Sequence, residues 1–216
     1  MMQIEENGHQ MGFLRKFMME NAGAAAAKRI EEKYAPVWFL DTDYKKILVF
    51  AGLGNNGGDG LVIARHLAGY GANVTVFLLG KPDNIRSEEC SWNWSLLEKM
   101  KSVKLLTGGN LEDLNNLKFK IIIDGILGTG ISGEIREPHA SAIEFINGKV
   151  WGGVVSVDVP SGLNPDTGEA NKRCVNANMT VTFHRMKVGM QKRTDVCGEI
   201  FVEKIGIPLE AEIGVL

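Results

Sequence analysis

The glycine-rich segment Gly52–Gly60, whose sequence is GLGNNGGDG, restricts the fold more than any other part of the chain. It follows directly on the apolar run Ile47–Ala51, which is typical of a buried strand. A glycine-rich turn that leads from a buried strand into a helix is where α/β proteins bring their backbone against a ligand. The segment therefore predicts an α/β protein with a ligand site at this turn.

The composition is that of one globular domain without a strong charge. The chain has 216 residues, of which 44% are hydrophobic, and a formal net charge of −2, so no basic surface for nucleic acid is expected. The polar, acidic start is unlike a signal peptide, and no apolar run approaches the roughly 18 residues that a membrane helix needs. The three cysteines form no C-x-x-C pattern and are typical of reduced thiols. These features favour a cytoplasmic protein that binds neither nucleic acid nor membranes.

Helical and strand patterns alternate along the chain. An N-terminal helix is expected over about 10–34, ended by Pro36, and an α/β core over about 46–208. Continuous apolar strands that alternate with amphipathic helices predict a mostly parallel, doubly wound sheet covered on both faces, in a single domain spanning 1–216. The strands are expected at Lys46–Ala51, Val74–Leu79, Val103–Leu106, Phe119–Ile123, Val154–Val157, Thr180–Phe183 and Glu199–Ile205. The core helices are expected at Gly60–Gly69, Ser87–Lys101, Leu111–Leu117 and Pro138–Asn147.

Three loops of this fold carry unusual chemistry. In a doubly wound sheet of strand order 3-2-1-4-5-6 the first and fourth strands are neighbours, and ligands bind at the carboxyl ends of the strands there. The loop after the first strand contains two asparagines and Asp59, and the loop after the fourth runs from Asp124 to Glu134 with four glycines. The fifth strand is followed by Asp158 and Ser161. The three loops are expected to meet at one crevice.

The segment Gly52–Gly57 also satisfies the G-x-G-x-x-G pattern of dinucleotide-binding dehydrogenases, but two features disfavour that reading. Such a site needs an acidic residue roughly 20 positions later, at the end of the second strand, and Leu78–Lys81 contains none. The carboxylate of Asp59 would also occupy the positive end of the helix that a phosphate needs. The residues leave two roles open for Asp59, an N-cap or a ligand contact, and Asp124 and Asp158 are likewise either structural or part of the site.

Short segments along almost the whole chain resemble, in the same order, those of the YjeF N-terminal domain family. The resemblance extends from about Met11 to Pro208 and is far more specific than any single motif. Its main segments are Asn55–Gly60, Asp124 with Gly128–Glu134 and Arg136–Pro138, and Ser156–Leu163. Further matches are Met19–Gly23, Asp166–Gly168, Thr180–Phe183, Lys187–Gly189 and Ile205–Pro208.

The resemblance implies an NAD(P)HX epimerase, which interconverts the R and S forms of NADH and NADPH hydrated at C6 of the nicotinamide ring. It further implies a Rossmann-like three-layer α/β/α sandwich, a homodimer, a functional link to an NAD(P)HX dehydratase, and one potassium ion per site. Potassium would be held by Asn56, Asp124 and Ser161. The NADHX or NADPHX substrate would contact Asp158 and two loops, made of Asn55, Asn56, Gly57, Gly58, Asp59 and of Gly128, Thr129, Gly130, Ile131, Ser132, Gly133, Glu134.

The residue types agree with part of this assignment. Asn56, Asp124 and Ser161 are oxygen donors, which hard cations prefer, with too few carboxylates for a dedicated calcium site. Asp158 is expected to be the acid/base group of the epimerisation, because one carboxyl can give a proton and later accept one. Some relatives have a lysine where this chain has Ser132, so a second charged catalytic group is in doubt here. Lys187 is expected to be solvated rather than to bind phosphate. The alternative is a nucleotide-binding or dimerisation scaffold of the same fold without catalysis.

Overall fold

A parallel sheet with helices on both faces forms the centre of the molecule in a computed structural model that describes residues 1–108, 110–114, 116–130 and 133–215. The strands are β1 Lys46–Ala51, β2 Asn73–Leu79, β3 Val103–Gly108, β4 Ile121–Gly125, β5 Gly153–Val157, β6 Met179–Phe183 and β7 Glu199–Glu203. The helices are α1 Met2–Gln10, α2 Arg15–Trp38, α3 Asn55–Gly69, α4 Glu88–Leu97, α5 His139–Asn147 and α6 Thr194–Cys197. None of the described helices is both long and apolar enough to cross a lipid bilayer.

The strand order is β3-β2-β1-β4-β5-β6-β7, and each neighbouring pair runs parallel. This confirms the predicted doubly wound sheet, to which β7 adds an edge beyond β6. Ala51 is paired with Leu78 on one side and Gly125 on the other, and Asp124 is paired with Ser156. The carboxyl ends of β1, β4 and β5 are therefore adjacent, as the predicted switch point requires.

The two faces of the sheet are covered by different helices. Ile47, Val49 and Ala51 point into a core formed with α2, α3 and α4, whereas Leu48 and Phe50 point into a second core formed with α5. Because successive side chains of a strand face opposite sides of the sheet, a strand buried on both faces reads as a continuous apolar run. This arrangement confirms the predicted three-layer α/β/α sandwich.

The N-terminal region differs from the prediction of one helix over about 10–34. It forms α1 and α2, separated by a turn in which Gly12 has a φ of 98°. The helix α2 also continues past Pro36 to Trp38, because a proline in the last turn removes only one hydrogen bond near an end that frays anyway. Asn7 Nδ2 donates to the Ala211 carbonyl oxygen at 2.8 Å, so the polar helix α1 is held by the C-terminal segment.

Smaller differences occur at the ends of other predicted elements. The helix predicted over Leu111–Leu117 is a short 3₁₀ turn over Leu111–Leu114, and α4 ends at Leu97 rather than Lys101. The fourth strand begins at Ile121 rather than Phe119. None of these shifts changes the order of the sheet or the position of the loops at its carboxyl edge.

Candidate functional site

A cavity of about 580 Å³ opens at the carboxyl ends of β1, β4 and β5. Part of the predicted site lines it directly, namely Asn55, Asn56, Asp59, Gly128, Thr129, Gly130, Glu134 and Asp158. Another part lies buried behind the lining, namely Gly57, Gly58, Asp124 and Ser161. Gly133 is exposed outside the lining, and the predicted contacts Ile131 and Ser132 lie outside the described residues. The three loops after β1, β4 and β5 thus meet at one cavity.

The helix α3 begins at Asn55 and not near Gly60, with Gly54 as its N-cap. Asp59 therefore lies in the second turn of the helix and is not its N-cap, which removes one of the two roles that the sequence left open. Two glycines in the first turn are required by packing. A methyl group on Gly57 would overlap the backbone carbonyl of Gly52, and one on Gly58 would lie 2.6 Å from Met19 Cε.

We expect Gly57→Ala to abolish correct folding of the cavity wall. The added methyl group meets a backbone carbonyl rather than a flexible side chain, so the helix α3 must move away from the β1 turn. Thermal unfolding of the purified variant measures the loss of stability. The control is Gly69→Ala at the end of the same helix, where a methyl group meets no atom within 4 Å. A Gly57→Ala melting temperature equal to that of the control would contradict the packing argument.

Asp124 joins the loops after β4 and β5. Its Oδ2 accepts hydrogen bonds from Ser156 Oγ at 2.8 Å and from the Ser161 backbone N–H at 2.9 Å. Its Oδ1 accepts from Ser161 Oγ at 2.6 Å and from the Ile126 backbone N–H at 3.3 Å. The Leu127 backbone N–H in turn donates to Ser161 Oγ at 2.9 Å. The side chain is fully buried, and burial raises the pKa of Asp124 while these hydrogen bonds act against that rise.

Asp158 lies at the end of β5 in the left-handed backbone region, with a φ of 64°. Its Oδ1 accepts hydrogen bonds from Thr182 Oγ1 at 3.0 Å and from the Phe183 backbone N–H at 3.1 Å, and it forms an ion pair with Lys187 Nζ. Within the described residues no donor engages Oδ2, and the side chain lines the cavity. The carboxylate is therefore held by one oxygen and free to act with the other.

Lys187 is not the solvated residue that the sequence analysis expects. It is only 7% exposed, and besides the ion pair its Nζ donates to Thr182 Oγ1 at 2.9 Å and to the Phe183 carbonyl oxygen at 3.1 Å. Burying an ammonium group is costly unless it is paired and hydrogen-bonded, as it is here. The sequence does not predict that Lys187 contacts Asp158, because the two residues are 29 positions apart.

Four further carboxyl groups line the same cavity, from Glu5 on α1, Asp59 on α3, Glu89 on α4 and Glu134. Burial, followed by repulsion from Asp158 and Glu5, raises the pKa of Asp59 well above its ordinary value. Burial and repulsion from Asp158 likewise raise the pKa of Glu5. Asp158, Asp59 and Glu5 therefore lie in different electrostatic environments within one cavity.

Cationic groups also line the cavity, of which only Arg136 lies in a segment that the sequence analysis singled out. Arg15 comes from α2, Arg86 precedes α4, and Arg136 follows the glycine-rich loop after β4. Arg15 is paired with Glu6, whereas Arg86 and Arg136 form no ion pair within the described parts of the chain. Guanidinium groups near a helix N-terminus are suited to phosphate groups, so this side of the cavity fits a polyanionic ligand.

The doubly wound sheet, with an amide- and carboxyl-lined cavity at its switch point, defines a Rossmann-like α/β protein that binds a small polar ligand. The chain belongs to the family described as YjeF-related protein N-terminus, whose sequence profile matches residues 15–189. This agrees with the resemblance found in the sequence.

Similar proteins match this chain over nearly its full length. It is 62% identical to an NAD(P)H-hydrate epimerase from Nitrosopumilus maritimus and 60% identical to another from Cenarchaeum symbiosum, covering 100% of this chain and 97% of each relative. It is 44% identical to the bifunctional NAD(P)H-hydrate repair enzyme Nnr of Methanothermobacter thermautotrophicus, of which it covers 39%. The crystal structure of the yeast protein YNL200c is similar with a TM-score of 0.78 and 29% identity, over 94% of this chain and 84% of the yeast chain.

Proposed function

We propose that this protein is an NAD(P)H-hydrate epimerase. The observation that carries the proposal is the position of the Asp158 carboxylate at the switch point of the sheet. It lines a cavity of nicotinamide-nucleotide size, and Lys187 fixes one of its two oxygens, Oδ1. Two relatives with this activity in their names match the chain end to end at 60% identity or more.

The reaction requires inversion at C6 of the hydrated nicotinamide ring, which carries a hydroxyl beside the ring nitrogen. Protonation and loss of that hydroxyl give a planar iminium cation that the nitrogen stabilises, and water then adds to the opposite face. Asp158 is suited to the proton transfer, because Oδ1 is held by Lys187 and Thr182 and Oδ2 is free. The cation forms without a strong catalyst, so positioning and modest electrostatic help suffice for the enzyme.

Substrate binding follows from the lining of the cavity. The N-terminus of α3 and the side chains of Arg86 and Arg136 suit the diphosphate of the dinucleotide. Asn55, Asn56 and Asp59 on α3, with Gly128–Gly130 and Glu134 after β4, suit the rest of the substrate. This arrangement supports NADHX and NADPHX as substrates and does not by itself separate them.

The direct test supplies purified R-NADPHX to the protein and follows the formation of the S form by chromatography. We expect acceleration over buffer that scales with protein concentration. A scaffold of the same fold would bind the nucleotide in a thermal-shift assay without accelerating the reaction, so binding without turnover would overturn the enzymatic proposal in favour of that alternative.

We also propose a potassium site formed by Asn56, Asp124 and Ser161. All three offer oxygen atoms, Leu127 adds a carbonyl oxygen 3.1 Å from Ser161 Oγ, and the Asn56 side chain is 9% exposed at the cavity. The oxygen donors with one carboxylate fit a monovalent cation. A bound cation would supply fixed positive charge next to the loop after β4.

The potassium proposal is tested by melting the protein in KCl and in LiCl at equal ionic strength. We expect a higher melting temperature and faster epimerisation in KCl, since a ligand that binds only the native state stabilises it. Asn56→Ala should remove the difference between the two salts. Equal melting temperatures and rates of the wild type in both salts would exclude the site.

The cellular context is a further part of the proposal. A cytoplasmic location accords with the substrate, which is formed from an intracellular cofactor. A functional link to an NAD(P)HX dehydratase is supported by the bifunctional repair enzyme of Methanothermobacter, of which this chain covers 39%. We also propose a homodimer. Trp92 is 48% exposed on α4 and suits a contact between subunits. Light scattering of the wild type and of Trp92→Ala tests the dimer.

A further inference from the structure

The stereochemistry of the proposed reaction calls for proton transfer on both faces of the ring. Inversion at C6 means that water leaves from one face and another water adds to the other. A single carboxyl group serves both faces only if the ring turns or a water relays the proton between the two steps, whereas a second group on the other side makes this unnecessary. The inference rests on the proposed function and concerns the group that exchanges a proton on the face opposite Asp158.

Asp59 is positioned for this second role. Its carboxyl group enters the cavity from α3, in the helical layer, whereas Asp158 enters from the end of β5. Within the described residues no side-chain hydrogen bond or ion pair engages the carboxyl of Asp59, whose surroundings act on it only through burial and charge at a distance. A half-buried carboxyl group in a ligand cavity without a protein partner is available to a substrate.

The groups around Asp59 favour opposite charge states in the two aspartates. Glu5 on α1 and Asp158 with Lys187 are the titratable groups that act on Asp59, and Asp59 itself raises the pKa of the buried Cys90 thiol on α4. Burial and the two carboxyl neighbours raise the pKa of Asp59, which favours its neutral form. Asp158 is instead joined to an ammonium group in an ion pair. A neutral acid and a carboxylate in one cavity are the two forms that a two-face epimerisation uses.

We propose that Asp59 is a second catalytic residue, which exchanges protons with the C6 oxygen on the face opposite Asp158. In one direction the Asp59 carboxyl gives its proton to the C6 hydroxyl, and the C6–O bond breaks with its electron pair leaving on water. A water on the other face forms the new C6–O bond and gives a proton to the Asp158 carboxylate. Asp59 ends ionised and Asp158 protonated, which is the starting state for the reverse direction.

The test compares Asp59→Asn with Glu5→Gln in steady-state epimerisation of R-NADPHX across pH. Asparagine keeps the size and polarity of the side chain but cannot give a proton. We expect Asp59→Asn to lower kcat by roughly 100-fold or more, the usual share of a general acid, with KM changed far less. The wild type should lose activity as the pH rises through the raised pKa of Asp59, and Asp59→Asn should lack that decline.

Several results would overturn the role of Asp59. They are a wild-type kcat in Asp59→Asn, a decline with rising pH that persists in Asp59→Asn, or a decline that Glu5→Gln removes instead. A rise in KM alone would show that Asp59 only binds substrate and would also overturn it. If Asp59→Asn does not fold, Asp59→Glu and Asp59→Ala are compared: Glu still carries a proton and should recover kcat that Ala lacks, and equal kcat in the two variants counts against the role. A wild type that does not accelerate the reaction contradicts the proposed function itself, which is a distinguishable outcome.

Discussion

Asp158→Asn is expected to fold normally and to epimerise R-NADPHX roughly 100-fold to 10,000-fold more slowly than the wild type, the range typical of a lost general acid–base group. The amide keeps an oxygen that accepts hydrogen bonds from Thr182 Oγ1, the Phe183 N–H and Lys187. It cannot exchange the proton that the reaction requires. The rate of S-NADPHX formation, measured by chromatography, checks the prediction.

Asparagine is the suitable replacement at this position because the backbone of Asp158 has a φ of 64°. Aspartate and asparagine tolerate the left-handed region better than most residues, so the variant avoids backbone strain that alanine would introduce. Asp113→Asn, an exposed aspartate in the 3₁₀ turn after β3, is the matched control and should keep the wild-type rate. A folded Asp158→Asn protein with an undiminished rate would show that another group transfers the proton.

The sheet was predictable because the pattern that defines it is local. Each central strand is a run of apolar residues long enough to be buried on both faces, as in Ile47–Ala51, and the helices between strands are short and amphipathic. The start of α3 was not predictable in the same way. Asn55–Gly58 has low helix propensity, and it is helical because Gly57 must pack against Gly52 and Gly58 against Met19. Tertiary packing there outweighs local preference.

Prediction of the site from the sequence is limited in the same way, by contacts between residues that are distant along the chain. The loops at Asn55–Asp59, Asp124 and Asp158 could be brought together from the sequence, because the topology of a doubly wound sheet fixes which strand ends are adjacent. Lys187 could not be placed, since its partner Asp158 is 29 residues away and the ion pair depends on β6 lying beside β5, so that the segment after β6 meets the end of β5. The helix α1 was also missed, because its polar sequence gains a buried face only when it packs against the C-terminal segment.

Asp124→Ala is expected to lower the free energy of unfolding by about 3 to 5 kcal/mol, because it leaves several buried donors without an acceptor. These are the backbone N–H groups of Ile126 and Ser161 and the hydroxyls of Ser156 and Ser161. Typical domains are stable by only about 5 to 15 kcal/mol, so a loss of this size is large. Urea unfolding followed by circular dichroism measures it.

Asp124→Asn separates the structural role of this residue from its proposed role toward potassium. An amide of the same size keeps an acceptor oxygen for part of the donor set around Asp124, so asparagine should cost less than alanine. The amide nevertheless removes the one carboxylate of the proposed cation site. We therefore expect Asp124→Asn to remain folded but to melt at the same temperature in KCl and LiCl, unlike the wild type. A stable Asp124→Asn protein that still melts at a higher temperature in KCl than in LiCl would mean that the cation is held without Asp124. An Asp124→Ala protein as stable as the wild type would mean that other contacts join the loops after β4 and β5.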